Sequence, residues 1–399
     1  MPLAPSATTS LWPLWSTDEH VDEMRVALWA DNVLDPVMSG MGQHQRGFLR
    51  GLVRIDDDDL DLVVFYTRRR PRQQFPVALD RIETRALPGL RHLWYPAWHA
   101  TQRPRIDRLV GKPDLMHLLH TSVTVPARAP RIAWVVDLAS ARYPEAFPGR
   151  RRRFKDMAIR RLAADPDVTF VTNTEFVRRE LCELYDVGPD RATPVALGID
   201  HDRFRPVADE AELERVRSTH NLPPDYALFV GLLSPRKNVD MLIEGFRIHR
   251  EQVGTDLRLV LAGAPGWDYE HIYRAAEGVA GVTFLGYVPD RDLPAVYSMA
   301  RCLVFPSSSE GFGMPLIEAM ACGTPVVASA VTAIPEVVGD AALLLDRLDR
   351  EAIASALNRV TTEPTVAADL TRRGLEQASR YTWKRAAEQC VTLYREGLG

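Results

Sequence analysis

The chain has 399 residues, of which 46% are hydrophobic and 26% charged, with a formal net charge of −4. This length exceeds a single typical core and favours two domains, while the near-balanced charge gives no general attraction to nucleic acid, so we expect no nucleic-acid partner. No apolar run approaches the roughly 20 residues needed to span a bilayer, and we expect no secretory signal.

The first 23 residues are rich in Pro, Ser and Thr. Such a composition buries little apolar surface, so we predict a flexible leader over residues 1–23. Four scattered cysteines form no C-x-x-C pair, and they are Cys182, Cys302, Cys322 and Cys390. We therefore expect neither a disulfide framework nor a metal site. Free thiols are typical of the cytoplasm, where we place the protein.

Beyond the leader, the first half of the chain alternates short apolar runs with helical patterns. The predicted strands cover residues 24–31, 60–66, 114–120, 131–137 and 168–173, and the predicted helices cover 42–53 and 150–164. Repeated strand–helix alternation favours a parallel sheet with helices on its faces. This half is therefore predicted to form one doubly wound domain.

A second alternating series follows a short polar stretch, residues 201–207, which Pro206 helps to close. Its predicted strands cover residues 226–233, 257–263, 282–287, 302–306 and 324–329. We therefore predict an α/β protein with two doubly wound, Rossmann-like domains, residues 24–204 and 205–380. Ligands of such folds bind at the carboxyl ends of the strands, here in the cleft between the domains.

The segment Ser307–Val327 places Glu310 and Glu318 eight positions apart around a glycine-rich turn. Gly311 and Gly313 let the backbone approach a ligand closely, and a helix is predicted to begin near Pro315. Free N–H groups at a helix start favour an anion, while flanking acids accept hydrogen bonds from hydroxyls. A nucleotide-sugar presents both groups. Taken alone, the segment also fits an ordinary strand-to-helix turn with a solvated glutamate.

Two adjacent cations, Arg236 and Lys237, follow a strand predicted to end at Gly231. A planar guanidinium and a compact ammonium at the end of a strand are suited to neutralise a diphosphate. A solvated turn with two surface cations is the alternative. We expect both side chains to be partly exposed.

From about Met24 to its end, the chain resembles the family-4 glycosyltransferases, which have the GT-B fold. The resemblance rests first on the turn Ser234–Asn238 and the loop Glu310–Glu318. Further matching stretches are Thr172–Val187, Val195–Phe204, Leu285–Ala300 and Ile334–Leu345. The terminal segment 381–399 resembles the family's last helix, which returns to the N-terminal domain. The resemblance implies an acceptor-binding domain at 24–204, completed by 381–399, and a donor-binding domain at 205–380.

By this resemblance, Glu318 holds the ribose hydroxyls and Glu310 contacts the donor sugar. Arg236 and Lys237 clamp the diphosphate and stabilise charge on the leaving group, and Val288 meets the base through its backbone. The donor-binding residues implied are Gly42, Gly231, Arg236, Lys237, Val288, Glu310, Gly311, Phe312, Gly313, Met314, Leu316 and Glu318.

The sequence departs from the family pattern at Val136–Asp137, where many members carry His-Asp. Asp137 is then the candidate polar group beneath the reacting sugar. His120, which ends the preceding predicted strand, is an alternative for the missing histidine. The candidate catalytic residues are Asp137, Glu310, Arg236, Lys237 and His120.

Two charged segments have ordinary alternatives to a functional role. The Asp-x-Asp spacing in Asp56–Asp61 is compatible with a metal, but its position away from the donor loops favours a solvated acidic turn. The basic helix, over Arg150–Arg161, can bind a phosphorylated acceptor or an anionic membrane at the inner face, or simply be solvated.

The resemblance implies a retaining transferase that moves a hexose, mannose or glucose, from a nucleotide-diphosphate sugar to a hydroxyl of a carbohydrate, lipid-linked or small-molecule acceptor. It implies no cofactor and no required metal. Two alternatives stay open, namely a nucleotide-sugar-binding protein without transfer activity and a glycosyl phosphorylase on the same fold.

Overall fold

The computed structural model describes residues 23–34, 40–57, 59–70, 75, 79, 82–144 and 149–397. The predicted leader lies outside the described residues, apart from Glu23. Within the described part, no helix has the length and apolar character needed to cross a membrane.

The first half of the chain folds around a parallel sheet with seven strands among the described residues. Their order across the sheet is β3-β2-β1-β4-β5-β6-β7. The strands are β1 Met24–Trp29, β2 Leu60–Arg68, β3 Glu83–Leu90, β4 Leu115–Leu118, β5 Arg131–Val135, β6 Val168–Thr172 and β7 Ala192–Pro194. Central strands such as β4 and β5 are buried along their whole length, as expected for a sheet covered on both faces.

Helices cover the two faces of this sheet. They are α1 Gly40–Val53, α2 Arg91–Thr101, α3 Ala139–Arg142, α4 Arg150–Ala163 and α5 Glu175–Tyr185. Helix α5 begins where Thr174 accepts a hydrogen bond from the Val177 N–H at 3.2 Å, a typical N-cap.

The second half folds around another parallel sheet, with six strands in the described residues. Their order is β10-β9-β8-β11-β12-β13. The strands are β8 Tyr226–Val230, β9 Arg258–Ala262, β10 Val282–Gly286, β11 Cys302–Phe305, β12 Val326–Ser329 and β13 Leu343–Leu345. The remaining helices are α6 Glu210–His220, α7 Val239–Val253, α8 Glu270–Ala276, α9 Leu293–Ser298, α10 Met314–Ala321, α11 Ile334–Val338, α12 Arg350–Thr362, α13 Pro364–Ser379 and α14 Trp383–Glu396.

The strand order reverses at one place in each sheet, between β1 and β4 and between β8 and β11. These topological switch points open a crevice beyond the carboxyl ends of the strands, where doubly wound folds bind their ligands. The predicted fold class, two doubly wound α/β domains, is confirmed. The sequence missed β3, β7 and β13, all of which lie at sheet edges, where strands are short or polar and resemble loops.

The C-terminal helix α14 packs against α1 of the first half. The approach is close because α1 presents glycines: a methyl group added at Gly47 would lie 2.1 Å from the Trp383 indole. At Gly51 it would lie 2.3 Å from the Trp383 carbonyl oxygen. The chain thus crosses back to the first sheet after completing the second. The exact boundary at residues 204 and 205 stays a prediction.

Candidate active site

Three charged side chains meet at the switch point of the second sheet. Arg236 and Lys237 lie in a short 3₁₀ turn, Pro235–Lys237, shortly after β8. Arg236 Nη1 donates to Glu310 Oε1 at 2.7 Å, and Lys237 Nζ donates to the same oxygen at 2.6 Å. Burial alone would raise the pKa of Glu310, but the charges of Lys237 and Arg236 outweigh it and hold that pKa below its usual range. Glu310 is therefore a carboxylate.

The two cations differ in exposure. The Arg236 side chain is 21% exposed, but the Lys237 side chain is only 9% exposed. The expectation that Lys237 is partly exposed was therefore wrong. Lys237 lies inward because its ammonium group sits over the Phe305 ring, 4.3 Å from the centroid, as well as on Glu310. Burial lowers the pKa of Lys237, and the Glu310 charge opposes that shift.

The glycine-rich turn connects β11 to α10, which starts at Met314 with Pro315 in its first turn. Gly313 has a φ of 93°, a left-handed conformation that glycine adopts without a steric penalty. The first N–H groups of a helix have no intrahelical partner, so α10 offers donors and a positive dipole end to an anion. The start of α10, predicted to bind phosphate, thus lies in the same turn as Glu310.

Glu318 lies on α10 and is buried, with an exposure of 4%. Its Oε2 accepts a hydrogen bond from the Tyr297 hydroxyl at 3.0 Å. Burial raises the pKa of Glu318 to about 7, even though Arg203 and the Tyr297 hydrogen bond act to lower it. Tyr297 was missed at the sequence level because a tyrosine 21 positions away carries no local signal for this contact.

The other predicted donor-binding residues fall into two groups. Val288, Phe312 and Leu316 are buried apolar side chains, so they can meet a ligand only through the backbone or by shaping the pocket. Gly42 lies near the start of α1 and Gly231 directly follows β8. Of these two, Gly231 lies at the carboxyl end of a central strand.

Across the cleft, Asp137 lies just after β5. Lys155 of α4 donates to Asp137 Oδ1 at 3.2 Å and to the Asp137 carbonyl oxygen at 3.1 Å. The Lys155 charge lowers the pKa of Asp137 against burial, and Arg236 of the other half of the molecule adds to the effect. From the sequence, Lys155 is only one residue of the basic helix Arg150–Arg161. Its contact with Asp137 could not be predicted, because the two residues are 18 positions apart.

His120, the second candidate at this side, is fully buried two residues after β4. Its Nδ1 accepts a hydrogen bond from the Ser122 N–H at 3.1 Å, and its ring lies 6.1 Å from Trp29. Its Nε2 has no hydrogen-bond partner among the described residues, and no hydrogen bond there joins it to Asp137. Burial, reinforced by Arg91 and other nearby charges, lowers the pKa of His120 to about 3, so the ring is neutral at pH 7.

The two halves of the site touch at Gly311. A methyl group added there would lie 2.3 Å from the Val136 carbonyl oxygen and 2.9 Å from Asp137 Cβ. The Thr174 hydroxyl donates to the Gly311 carbonyl oxygen at 3.2 Å. Only glycine fits this approach, and it brings the donor turn against the end of β5. Asp137 therefore lies close to the cluster of Glu310, Arg236 and Lys237, in the cleft where the sequence analysis predicted the ligand site.

Comparison with known proteins identifies the family of this chain. Residues 38–203 match the family described as Glycosyltransferase Family 4, and residues 210–377 match the one described as Glycosyl transferases group 1. The O-antigen chain mannosyltransferase B of Escherichia coli is 34% identical over 263 residues, covering 65% of this chain and 68% of that protein. This chain belongs to glycosyltransferase family 4.

Two further similarities agree with the family-4 assignment. A D-inositol 3-phosphate glycosyltransferase of Acidothermus cellulolyticus is 32% identical over 343 residues, covering 81% of this chain and 71% of that protein. The solved structure of Anabaena HepE in complex with UDP and glucose has a TM-score of 0.70 at 16% identity, covering 94% of this chain and all of that one. The latter similarity supports the GT-B fold.

The resemblance implies a histidine at the position of Val136, and that departure stays an interpretation of the sequence. Lys155 contacts Asp137, the residue that follows Val136. The basic helix α4 is not a uniformly free cationic face, because Arg160 pairs with Asp156 and Arg161 donates to the His99 carbonyl oxygen. Contact of this helix with an anionic membrane stays a prediction.

The acidic run lies away from the site. Asp57 pairs with Arg395 of α14 and Asp61 pairs with Arg25 of β1, both at 2.5 Å. Each of these two acids therefore takes part in an ion pair and is not a freely solvated group. Asp58 lies outside the described residues.

Proposed function

We propose that this family-4 glycosyltransferase moves a hexose from a nucleotide-diphosphate sugar to an acceptor hydroxyl, with retention of anomeric configuration. One observation carries the proposal: Glu310 is held between Arg236 and Lys237 at a switch point, beside the start of α10. The family relationship supports transfer, and this cluster supports a diphosphate leaving group.

The charge balance of the cluster favours an anionic ligand. Two cations share one carboxylate, so the three side chains carry a net charge of +1 before any ligand binds. A diphosphate gains negative charge as its bond to the sugar breaks, and cations fixed in a buried site stabilise that charge more strongly than water does. Arg236 and Lys237 are therefore proposed to act mainly in the transition state.

Glu310 then has two roles in the proposed reaction. Its carboxylate orders the two cations, and it is proposed to contact the donor sugar from the glycine-rich turn. Glu318, buried below the same turn, accepts hydrogen bonds from the ribose hydroxyls. Asp137, supported by Lys155, faces the reacting sugar from the other side.

The departing diphosphate is proposed to help remove the proton from the incoming acceptor hydroxyl, so the protein supplies orientation and charge stabilisation rather than a nucleophile. Mannose and glucose are the proposed sugars. An E. coli relative is named a mannosyltransferase, and the HepE neighbour is described with UDP and glucose. Transfer of the hexose is proposed to need no metal, because Arg236 and Lys237 provide the positive charge.

A thermal-shift screen of nucleoside diphosphates and nucleotide-sugars tests the donor class, since a ligand that binds the folded state raises its melting temperature. The donor so found is then assayed for hydrolysis and for transfer to a panel of sugars and polyols, with the anomeric configuration of the product read by NMR. We expect a shift with at least one nucleotide-sugar, slow hydrolysis, and a retained product.

The same assays distinguish the two alternatives. Binding without hydrolysis or transfer would indicate a donor-binding protein, for which Val136 gives a rationale. Sugar transfer to inorganic phosphate in place of a hydroxyl would indicate a phosphorylase.

A further inference from the structure

The segment Thr332–Glu336 connects the donor turn to the first half of the molecule. It begins after β12 and runs into α11, of which Glu336 is the third residue. At one end, Thr332 Oγ1 accepts a hydrogen bond from the Glu310 N–H at 3.0 Å. At the other end, Glu336 reaches across to helix α5.

The contact of Glu336 with α5 is a helix-capping contact made between the two halves. Its two carboxylate oxygens accept hydrogen bonds from the Glu175 N–H at 2.7 Å and the Phe176 N–H at 3.0 Å. These N–H groups belong to the first turn of α5, which has no intrahelical acceptors for them. A carboxylate there also interacts favourably with the positive end of the helix dipole.

Helix α11 gives Glu336 a fixed base. The carbonyl oxygen of its neighbour Val337 accepts hydrogen bonds from Gln377 Nε2 at 2.8 Å and from the Tyr381 hydroxyl at 2.9 Å. Gln377 lies on α13 of the second half, while Tyr381 begins the segment 381–399 that returns to the first half, so α11 is anchored to both. Movement of Glu336 relative to its own domain is therefore restricted.

Thr332 has a φ of 54°. A left-handed conformation is unfavourable for a β-branched residue and persists only where the surroundings impose it, commonly near functional sites. Here it accompanies the hydrogen bond from the Glu310 N–H to the Thr332 side chain. The backbone around the Glu310 carboxylate is thus fixed from its own domain by Thr332.

The other half of the molecule holds the next residue of the donor turn. Thr174, the N-cap of α5, donates its hydroxyl to the Gly311 carbonyl oxygen, and Glu336 holds the N–H groups of the two residues that follow Thr174. Residues 310 and 311 are therefore held on one side by Thr332 and on the other by Thr174. The support from Thr174 depends on how α5 sits on the segment Thr332–Glu336.

We propose that Glu336 is a positioning residue: it docks the start of α5 onto the second domain and so holds Gly311 and the Glu310 carboxylate in the geometry that sugar transfer needs. This inference rests on the proposed function, because Glu310 must act on the donor for its position to matter. Donor binding itself is proposed to depend mainly on Glu318 and does not require the α5 contact.

The test compares Glu336→Ala and Glu336→Gln with Asp349→Ala as a matched control. Asp349 also caps a helix, accepting from the Ala352 N–H at 2.8 Å, but helix α12 belongs to its own domain. For Glu336→Ala we expect a kcat for transfer about tenfold lower, the scale of losing charge-assisted hydrogen bonds to an exposed side chain, with an unchanged KM for the donor. Glu336→Gln, which keeps one acceptor oxygen, should lie between. Asp349→Ala should lower the melting temperature but leave kcat within about twofold.

Hydrogen exchange gives a readout that is independent of activity. In Glu336→Ala the amides of residues 175 and 176 should exchange faster, while in Asp349→Ala only the start of α12 should do so. An active wild type whose Glu336→Ala variant keeps full kcat overturns the inference and leaves the proposed function standing. Unchanged exchange at residues 175 and 176 also overturns it. A wild type that neither transfers nor hydrolyses any donor it binds overturns the proposed function and the role of Glu336 in it.

Discussion

The two sides of the cleft hold their charges in different ways. On the donor side, Glu310 is held by two cations, and its side chain is 11% exposed. On the acceptor side, Asp137 forms an ion pair with one cation among the described residues, Lys155, and the Asp137 and Lys155 side chains are 43% and 25% exposed. A buried, multiply held carboxylate cannot move without leaving charges unpaired, whereas a half-exposed pair exchanges its partner for water or substrate at little cost.

This difference indicates a division of labour. The donor side is ordered before the ligand arrives, which suits the stabilisation of charge that develops on a leaving group. The proposed acceptor side is open to rearrangement, which suits the entry of an acceptor. The following experiments test that contrast, beginning with the largest expected effect.

Lys237→Ala removes one of the two fixed charges on the donor side. We expect kcat/KM for transfer to fall by about 2–4 kcal/mol in transition-state terms, or roughly 30- to 1,000-fold. Because Lys237 is buried, the variant should also lose about 1–3 kcal/mol of unfolding free energy, measured by denaturant titration. Lys384→Ala, an exposed lysine on α14, is the control and should change neither quantity.

A second variant separates folding from chemistry at this position. Lys237→Met combined with Glu310→Gln removes the ion pair without leaving a buried charge on Glu310, so much of the stability should return. Activity should stay low, because the positive charge is still absent. Wild-type turnover in Lys237→Ala would refute the role of this side as a diphosphate clamp.

Asp137→Ala tests the acceptor side. We expect transfer to fall about 10- to 100-fold, the scale of hydrogen bonds to a charged group, with little loss of stability because the side chain is half-exposed. Val136→His should be tolerated. His120→Ala should damage activity less than Asp137→Ala, and the reverse order in kcat would assign the missing histidine's role to His120 instead. Donor hydrolysis measured in parallel distinguishes a chemical defect from an acceptor defect.

Glu318 gives the donor side a pH dependence. Its pKa is raised to about 7, so the carboxyl is mostly protonated at pH 6 and mostly ionised at pH 8. Ribose hydroxyls donate to the ionised form, so nucleotide-sugar affinity should rise about tenfold over this interval. A nucleotide-sugar is the ligand to titrate, because its diphosphate does not itself gain or lose a proton in this range.

Glu318→Gln should remove that pH dependence and weaken binding about tenfold at pH 8, measured by calorimetry. Glu310→Ala is the contrasting variant: it should lower turnover while leaving the affinity for the sugar-free nucleotide nearly intact. The opposite pattern would exchange the roles of the two glutamates.

Metal removal is expected to have the smallest effect. Arg236 and Lys237 are proposed to supply the charge that a divalent cation would otherwise provide, so transfer should persist in excess chelator. Loss of activity that magnesium restores would show that the clamp is insufficient by itself.

The sequence alone determined the features that depend on short-range pattern. Strand–helix alternation predicted both parallel sheets, since hydrophobic runs of a central strand are buried on both faces wherever the strand lies. Likewise, Arg236 and Lys237 are adjacent, and Glu310 and Glu318 lie around one glycine turn. Those donor-side residues could therefore be found by reading a few consecutive positions.

Only the tertiary structure decided which distant side chains share a charge or a hydrogen bond. Lys155 reaches Asp137 from α4, and Tyr297 reaches Glu318 from α9. Glu336 caps α5 at residues about 160 positions away in the sequence. Burial was also a tertiary outcome: Lys237 resembles a surface cation in the sequence but lies beneath the turn. Such contacts depend on how the two sheets and their helices pack together. They cannot be found from a local sequence pattern, because the partners lie far apart in the sequence.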